Sequence, residues 1–442
     1  VDSNTRKPRR LGTTLAAVAA TAVVTMVVSP TLGASAQAPQ GAKSPQAAAK
    51  KATEAKNVIF INGDGMGPAA REAARLYLAG LDGELTMDKL PVAGQLTTSP
   101  HDPKAVVTDS AAAASAWATG EKTYNGAISV DVDGNKLATL GQQAKAAGKR
   151  TGLVTTAQVT DASPAAFFSN TADRGQQDEI ARQYLDVSEP DVILGGGEDW
   201  WLPKGTAGAF PDKPAEDPSE ASKGTKGNLV AKARKKGYEY VSSAEQLGKA
   251  KAKDGKLLGL FANEEMFQQK PEGQGDVYKP VVDLATMTTK ALGTLDGKGK
   301  NKNRNGFFLM VEEEGVDEFA HANNAEKTLE SMRQLERTVA VARQYVATHP
   351  DTLLVVTADH ETGGLAVEEN DPADETGSGQ STEDGPFPIR NSDKSFTIDW
   401  TTGQHTSVAV PVTAEGPTAD RFNGKHANTY VHTVLSDILT RR

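Results

Sequence analysis

The chain has 442 residues, 38% of them hydrophobic, enough to bury the core of one large domain or two ordinary ones. Its formal net charge of −9 argues against nucleic acid or an anionic membrane surface as the main partner. It contains no cysteine, which excludes disulfides, thiolate metal sites and cysteine nucleophiles, and leaves His, Asp, Glu, hydroxyl and backbone oxygens as metal donors.

In chain order, the first element is an export signal. Arg6, Lys7, Arg9 and Arg10 precede an apolar run from Leu11 to Val28, and Ala34-Ser35-Ala36 follows as a small-residue cleavage site. Residues 1–36 are therefore expected to be a signal peptide, and the adjacent arginines suggest twin-arginine export. The expected location is extracellular, periplasmic or cell-wall associated, with no membrane contact once the signal is cleaved. Residues 37–56, made of Ala, Lys, Gln and Pro without periodicity, read as a flexible linker, so the folded domain is expected to run from Asn57 to the end.

Strands are predicted at Asn57–Asn62, Gly152–Thr156, Asp191–Leu194, Leu257–Phe261, Gly306–Glu312, Thr352–Ala358 and Ser407–Thr413. Most are continuous runs of Val, Ile, Leu and Phe, as in strands buried on both faces of a parallel sheet. Helices are predicted at Pro68–Leu78, Ser110–Thr119, Leu137–Ala147, Gln176–Leu185, Pro280–Leu292, Ala325–Ala347 and Ala427–Leu439. The alternation predicts an α/β fold, a mostly parallel central sheet with helices on both faces. Two polar stretches, near residues 201–275 and 366–398, read as surface insertions on this one domain.

Parallel sheets bind ligands at the carboxyl ends of their strands, and those ends carry chemistry here. The first strand runs into Gly63-Asp64-Gly65-Met66-Gly67, where glycines allow close approach and Asp64 can ligate or cap a helix. Asp317 and His321 follow the strand ending at Glu312; four apart, they share one face of a helix and suit zinc, or else begin a solvated acidic helix. Asp359-His360 follows another strand end, and His405 precedes the last predicted strand. Ser110 opens an alanine-rich helix that Thr108 or Asp109 would cap. A helix N-terminus favours an anion, and a serine hydroxyl beside a bound cation can attack phosphorus; as a bland alternative, Ser110 only caps the helix.

The strings DGMG, VTDSAAAASAWATG, KTYNGAI, TDASPAAF, VE with DEFAH five residues on, TADHETGG and GQHT occur in this order. Together they resemble the bacterial alkaline phosphatase family, from about residue 57 to the C-terminus. The resemblance implies a phosphate monoesterase working through a phosphoserine on Ser110, with small-molecule phosphate monoesters as substrates and inorganic phosphate as product. It implies that Asp317, His321 and His405 hold one zinc ion. Asp64, Asp359 and His360 would hold a second, and Asp64, Ser163 and Glu312 a magnesium ion, with Asp161 on its water. Ser163 stands where the family often has threonine. Arg174, thirteen residues after Asp161, would clamp the phosphate with its planar fork. Four ligating carboxylates against six cationic charges would leave the filled site attractive to a phosphate dianion. Glu318 departs from relatives that carry Lys or His beside the phosphate, and would weaken the positive field near Asp161.

A homodimer is compatible with this resemblance. The remaining histidines, His101, His349, His426 and His432, read as surface or structural residues. Two other functions fit parts of the pattern. A phosphodiesterase or phosphonate hydrolase of the same superfamily would commonly use threonine as nucleophile. It would often lack the arginine and the Asp161, Ser163 and Glu312 set. A non-enzymatic metal- or phosphate-binding surface protein would need no nucleophile at Ser110.

Overall fold

The strand β1 (Asn57–Gly63) is buried over its whole length. Its apolar residues each gain roughly 1.5–3 kcal/mol from leaving water. In the computed structural model, which describes residues 54–210, 221–253, 255–267, 278–297, 302–370 and 383–441, β1 lies near the middle of a ten-stranded sheet. The other nine strands are β2 (Val92–Thr97), β3 (Arg150–Gln158), β4 (Val192–Gly196), β5 (Glu239–Val241), β6 (Leu257–Leu260), β7 (Phe307–Glu313), β8 (Thr352–Thr357), β14 (Val410–Glu415) and β15 (Gly424–Ala427). Their spatial order is β15-β2-β14-β8-β1-β7-β3-β4-β6-β5. Every neighbouring pair is parallel except the two made by β14, which runs against β2 and β8.

Two groups of helices cover this sheet. One comprises α2 (Ser110–Thr119), α3 (Leu140–Ala146), α4 (Ala162–Phe168) and α11 (Tyr430–Leu439); the other includes α1 (Pro68–Leu78), α8 (Leu284–Asp296), α9 (Gly315–His321) and α10 (Ala325–Thr348). Strand alternation separates them. Phe60 packs on Trp117 of α2 and Phe167 of α4, whereas a Cβ on Gly63 would stand 2.6 Å from Leu335 of α10. The remaining helices are α5 (Gln177–Gln183), α6 (Leu229–Lys235) and α7 (Ala244–Lys249). The expected α/β architecture is therefore present.

Boundaries shift where a cap decides them. Thr139 forms a capping box, so α3 starts at Leu140 rather than Leu137. Asp283 accepts a hydrogen bond from the Thr286 amide and moves α8 to Leu284–Asp296. The strand expected at Ser407 begins at Val410, because His405–Thr406 forms its own two-residue strand β13, antiparallel to β9 (Glu361–Thr362). β5 and β15 are short edge strands and β2, between β15 and β14, is largely half-buried or exposed, so none carries a buried-strand pattern.

The stretch near residues 201–275 is not wholly superficial: it supplies β5 and β6 to the sheet and buries Trp201, Leu229 and Ala233. In the stretch near residues 366–398, β10 (Ala366–Glu369), β11 (Asp384–Pro388) and β12 (Ser395–Asp399) form a separate three-stranded sheet. The folded chain is already anchored before Asn57, since Ala55 is buried and the Lys56 amide bonds to Asp351 O at 2.7 Å. The expected signal peptide, and the linker up to residue 53, lie outside the described residues. Among the described residues no helix is long and apolar enough to cross a membrane.

Candidate active site

The carboxyl ends of β1, β7 and β8 lie side by side, and the segments leaving them carry most of the predicted site. Asp64 follows β1, Asp317 and His321 lie on α9 just beyond β7, and Asp359 and His360 follow β8. Gly65 makes this convergence sterically feasible: its φ is +71°, and a Cβ there would stand 2.7 Å from Asp317 Cα. The β9–β13 pairing, with His405 opposite Thr362, brings in the last histidine.

Two groups of ligand atoms result. Asp64, Asp359 and His360 form one, and Asp317, His360 and His405 the other, with the atoms of each group within 4.8 Å of one another. His321 Nε2 lies 3.3 Å from Asp317 Oδ2 and 3.0 Å from His405 Nε2, so it joins the second group. His360 touches both groups, where it was expected in only one. Thr362, for which no role was expected, donates its hydroxyl to Asp317 Oδ1 and lies 3.3 Å from His360 Nδ1.

These residues fit divalent cations. His405 Nδ1 lies 2.9 Å from Thr108 O and His321 Nδ1 lies 2.9 Å from Gly403 O. A carbonyl can only accept, so both Nδ1 atoms donate, and the two Nε2 atoms, 3.0 Å apart and both beside Asp317, are left as the positions that take a proton or a cation. Such an arrangement calls for a positive charge between them. Asp64 Oδ1 is buried with no hydrogen-bond partner among the described residues, and Asp359 Oδ2 faces only His360 Nε2, 3.1 Å away.

The electrostatics agree. Burial, then the charges of Asp359, Asp317 and Glu312, pushes the Asp64 carboxyl well above its ordinary range. Glu312 rises to about 7, mainly through burial. Against the same burial, hydrogen bonds from His321 and His405 hold Asp317 well below its usual value. Desolvation lowers His405, but Asp317 outweighs it and raises the ring. The cluster thus holds protons where cations would otherwise sit.

Ser110 is the first residue of α2. Its Oγ lies 3.2 Å from His360 Nε2, at the edge of both groups. Asp109, rather than Thr108, caps the helix and accepts from the Ala112 amide at 2.9 Å. Asp161 occupies the same position before α4. Arg174 bridges the two helix starts, with Nη2 3.0 Å from Asp161 Oδ1 and Nη1 3.5 Å from Asp109 Oδ2. Burial opposes it, yet the Arg174 charge holds Asp161 below its ordinary range.

Glu312 and Ser163 also meet, through a residue the sequence reading did not single out. Asn62 Nδ2 donates to Glu312 Oε1 at 3.2 Å and to Ser163 Oγ at 3.3 Å, and Thr155 Oγ1 donates to Glu312 Oε2 at 2.7 Å. The available signal was an amide that closes the apolar run Val58–Ile61 directly before Gly63-Asp64. Glu318 lies in the first turn of α9, half-buried, and its charge adds to the burial that raises Glu314. Glu314, also unforeseen, shares a hydrogen bond with Asp161. The other four histidines are engaged elsewhere: His349 stacks on Tyr345, His426 on Tyr430, His432 lies 3.2 Å from Gln143, and the His101 amide bonds to Thr123 O.

A sequence model of the family described as alkaline phosphatase matches residues 55–389. Alkaline phosphatase 3 of Bacillus subtilis is 32% identical over 440 residues, spanning 86% of this chain and 87% of the relative. Streptomycin-6-phosphate phosphatase of Streptomyces griseus is 34% identical over 429 residues, spanning 86% and 91%. Among solved structures, the cold-active alkaline phosphatase of Shewanella sp. superposes with a TM-score of 0.67 at 31% identity, covering 87% of this chain and 99% of that one. A Thermus thermophilus alkaline phosphatase gives 0.70 at 24% identity, covering 91% and 96%.

Proposed function

Because the chain belongs to the alkaline phosphatase family, and is a metal-dependent phosphoric monoester hydrolase that releases inorganic phosphate, we propose the following division of labour among its residues. Ser110 is the nucleophile. The observation that carries this reading is its placement: a hydroxyl at a helix N-terminus, 3.2 Å from His360 Nε2, within a buried Asp/His cluster. Ser110 Oγ forms a bond to phosphorus as the bond to the alcohol oxygen breaks. Water then displaces Ser110 from the phosphoserine, giving phosphate and the free hydroxyl. Two inversions leave configuration at phosphorus retained.

Arg174 presents its fork to the oxygens that stay on phosphorus, with Asp109 and Asp161 fixing its plane. Asp317, His321 and His405 would hold one zinc ion, and Asp64, Asp359 and His360 a second. Asp64, Ser163 and Glu312 would hold magnesium, with Asp161 one shell further out. When bound, these cations stabilise negative charge on the attacking, leaving and bridging oxygens. Ser163 supplies a hydroxyl oxygen, and Gly403 O and Thr108 O keep the two histidines in the tautomer that leaves Nε2 open.

The expected N-terminal signal supports export as the route by which the enzyme meets its substrates. A diesterase reading loses ground because serine, the arginine and the Glu312–Ser163 pair are all in place. Ser110→Ala is expected to lower kcat by roughly 10³-fold or more and to abolish acid-trapped phosphoserine. Hydrolysis of nitrophenyl phosphate is expected to exceed that of its bis ester. Undiminished turnover by Ser110→Ala would overturn the assignment.

A further inference from the structure

Asn62 stands in an unusual place for an amide. It is fully buried at the end of β1, on the face where Phe60 meets Trp117 and Phe167. The preceding residues of the strand, Val58 to Ile61, are all apolar. An apolar side chain would extend that wall without leaving a polar atom dry. Instead Asn62 Oδ1 is buried with no hydrogen-bond partner among the described residues, an arrangement that opposes folding unless the residue has another task.

The amide's orientation follows from its partners. As a cation ligand Glu312 is ionised and only accepts, so the nitrogen faces it. The two Nδ2 hydrogens go to Glu312 Oε1 at 3.2 Å and Ser163 Oγ at 3.3 Å. Strand register makes the first contact: Asn62 is aligned with Glu312 across the parallel pair β1–β7. The second contact crosses from the sheet to α4, two residues past its Asp161 cap. Thr155 Oγ1 meanwhile holds the other Glu312 oxygen at 2.7 Å. The carboxylate is thus held from both sides, and each oxygen keeps lone-pair capacity to spare.

We propose that Asn62 is a positioning residue for the magnesium site, joining the Ser163 hydroxyl to the Glu312 carboxylate so that both present an oxygen to one cation. The proposal rests on the reading of Glu312, Ser163 and Asp64 as ligands of that ion. Asn62 itself touches neither substrate nor nucleophile. It acts through two ligands drawn from different layers of the fold, which share one hydrogen bond of their own and gain in Asn62 a second, fixed link between them. Hydrogen-bonded partners of this kind set the orientation of ligand oxygens, and their loss is felt chiefly in metal affinity.

The test uses the full chain, stripped of metal, reloaded with zinc and titrated with magnesium by calorimetry, with metal content counted by mass spectrometry. Asn62→Leu is expected to raise the magnesium Kd by ~10–100-fold while zinc content stays at the wild-type value. Asn62→Ser, which keeps one donor and fits the space, is expected to raise it less, and decides the matter should the leucine variant not fold. In a Ser163→Ala background the effect of Asn62→Leu is expected to shrink, because one of the two groups it joins is gone. Magnesium binding unchanged in both Asn62 variants, or zinc lost to the same degree as magnesium, would overturn the proposal. Glu312→Gln serves as the separate control. If it leaves magnesium binding intact, the cation-site reading itself fails and the role of Asn62 falls with it.

Discussion

Charge around the proposed phosphate clamp, Arg174, is decided by single residues. Arg174 lies between two carboxylates, and a third and fourth stand behind them: Glu314 is hydrogen-bonded to Asp161, and Glu318 adds its charge to the burial that raises Glu314. Burial and the charges of Asp161 and Glu318 push Glu314 up, and Glu318 is the half-buried member of this chain of acids. Glu318→Lys is expected to strengthen phosphate binding, lowering its inhibition constant on the order of three- to tenfold in low salt, with a smaller gain in high salt. Competitive inhibition by inorganic phosphate at two ionic strengths measures this. An unchanged constant would mean that Glu318 does not act on the clamp.

Helix caps place the reacting groups. Asp109 Oδ1 accepts from the Ala112 amide at 2.9 Å, and Oδ2 accepts from the Gly126 amide at 2.8 Å as well as from Arg174. Asp109→Ala removes all three contacts and is expected to lower stability by ~1–2 kcal/mol. Asp109→Asn retains the cap and is expected to lose less than half of that, as read from urea unfolding midpoints. The start of this helix was legible because the alanine run and the Asp before it are strong local signals, and α1 was legible for a similar reason, Pro68 at its first position. The seven-residue α4 was not. Pro164 in its first turn reads as a breaker in sequence, although proline is tolerated there, and Phe167 and Phe168 gain their helical conformation from packing on Phe60 and Phe308. The Asp317/His321 and Asp359/His360 pairs could be found from spacing at strand ends. Asp161, Ser163 and Arg174 could be found only by likeness to a family; Asn62 left a local trace in the amide after Val58–Ile61, but its partners, like those of Thr362, come from segments far along the chain.

Across the whole molecule, the buried acids make stability depend on metal and pH together. Between pH 6.5 and 8, the metal-free fold holds protons that the unfolded chain has released or is releasing. Burial sets Glu312 at about 7 and Glu313 at about 8, and Asp317 raises His405 from 6.5 against its desolvation. Groups raised in the folded state contribute stability that is complete below their unfolded values and lost as pH climbs through the folded ones. Each retained proton therefore weakens the fold by up to roughly 1.4 kcal/mol per pH unit in this window. On the proposed ligand set, cations would replace the protons at Glu312 and His405 and remove much of that dependence. The Tm of chelated protein is expected to fall from pH 6.5 to 8 while that of protein with zinc and magnesium holds, so the gap between them widens; two parallel curves would contradict this. Finally, the central position of β1 has a consequence for synthesis. Its first sheet neighbour arrives 250 residues later, the separation of Asn62 and Glu312. A ribosome adding ~5–20 residues per second leaves Val-Ile-Phe-Ile without an edge to join for on the order of 12–50 s. Nascent chains ending before β7 carry this segment as an exposed, aggregation-prone strand, so chaperone cover is needed most during the middle of translation rather than at its end.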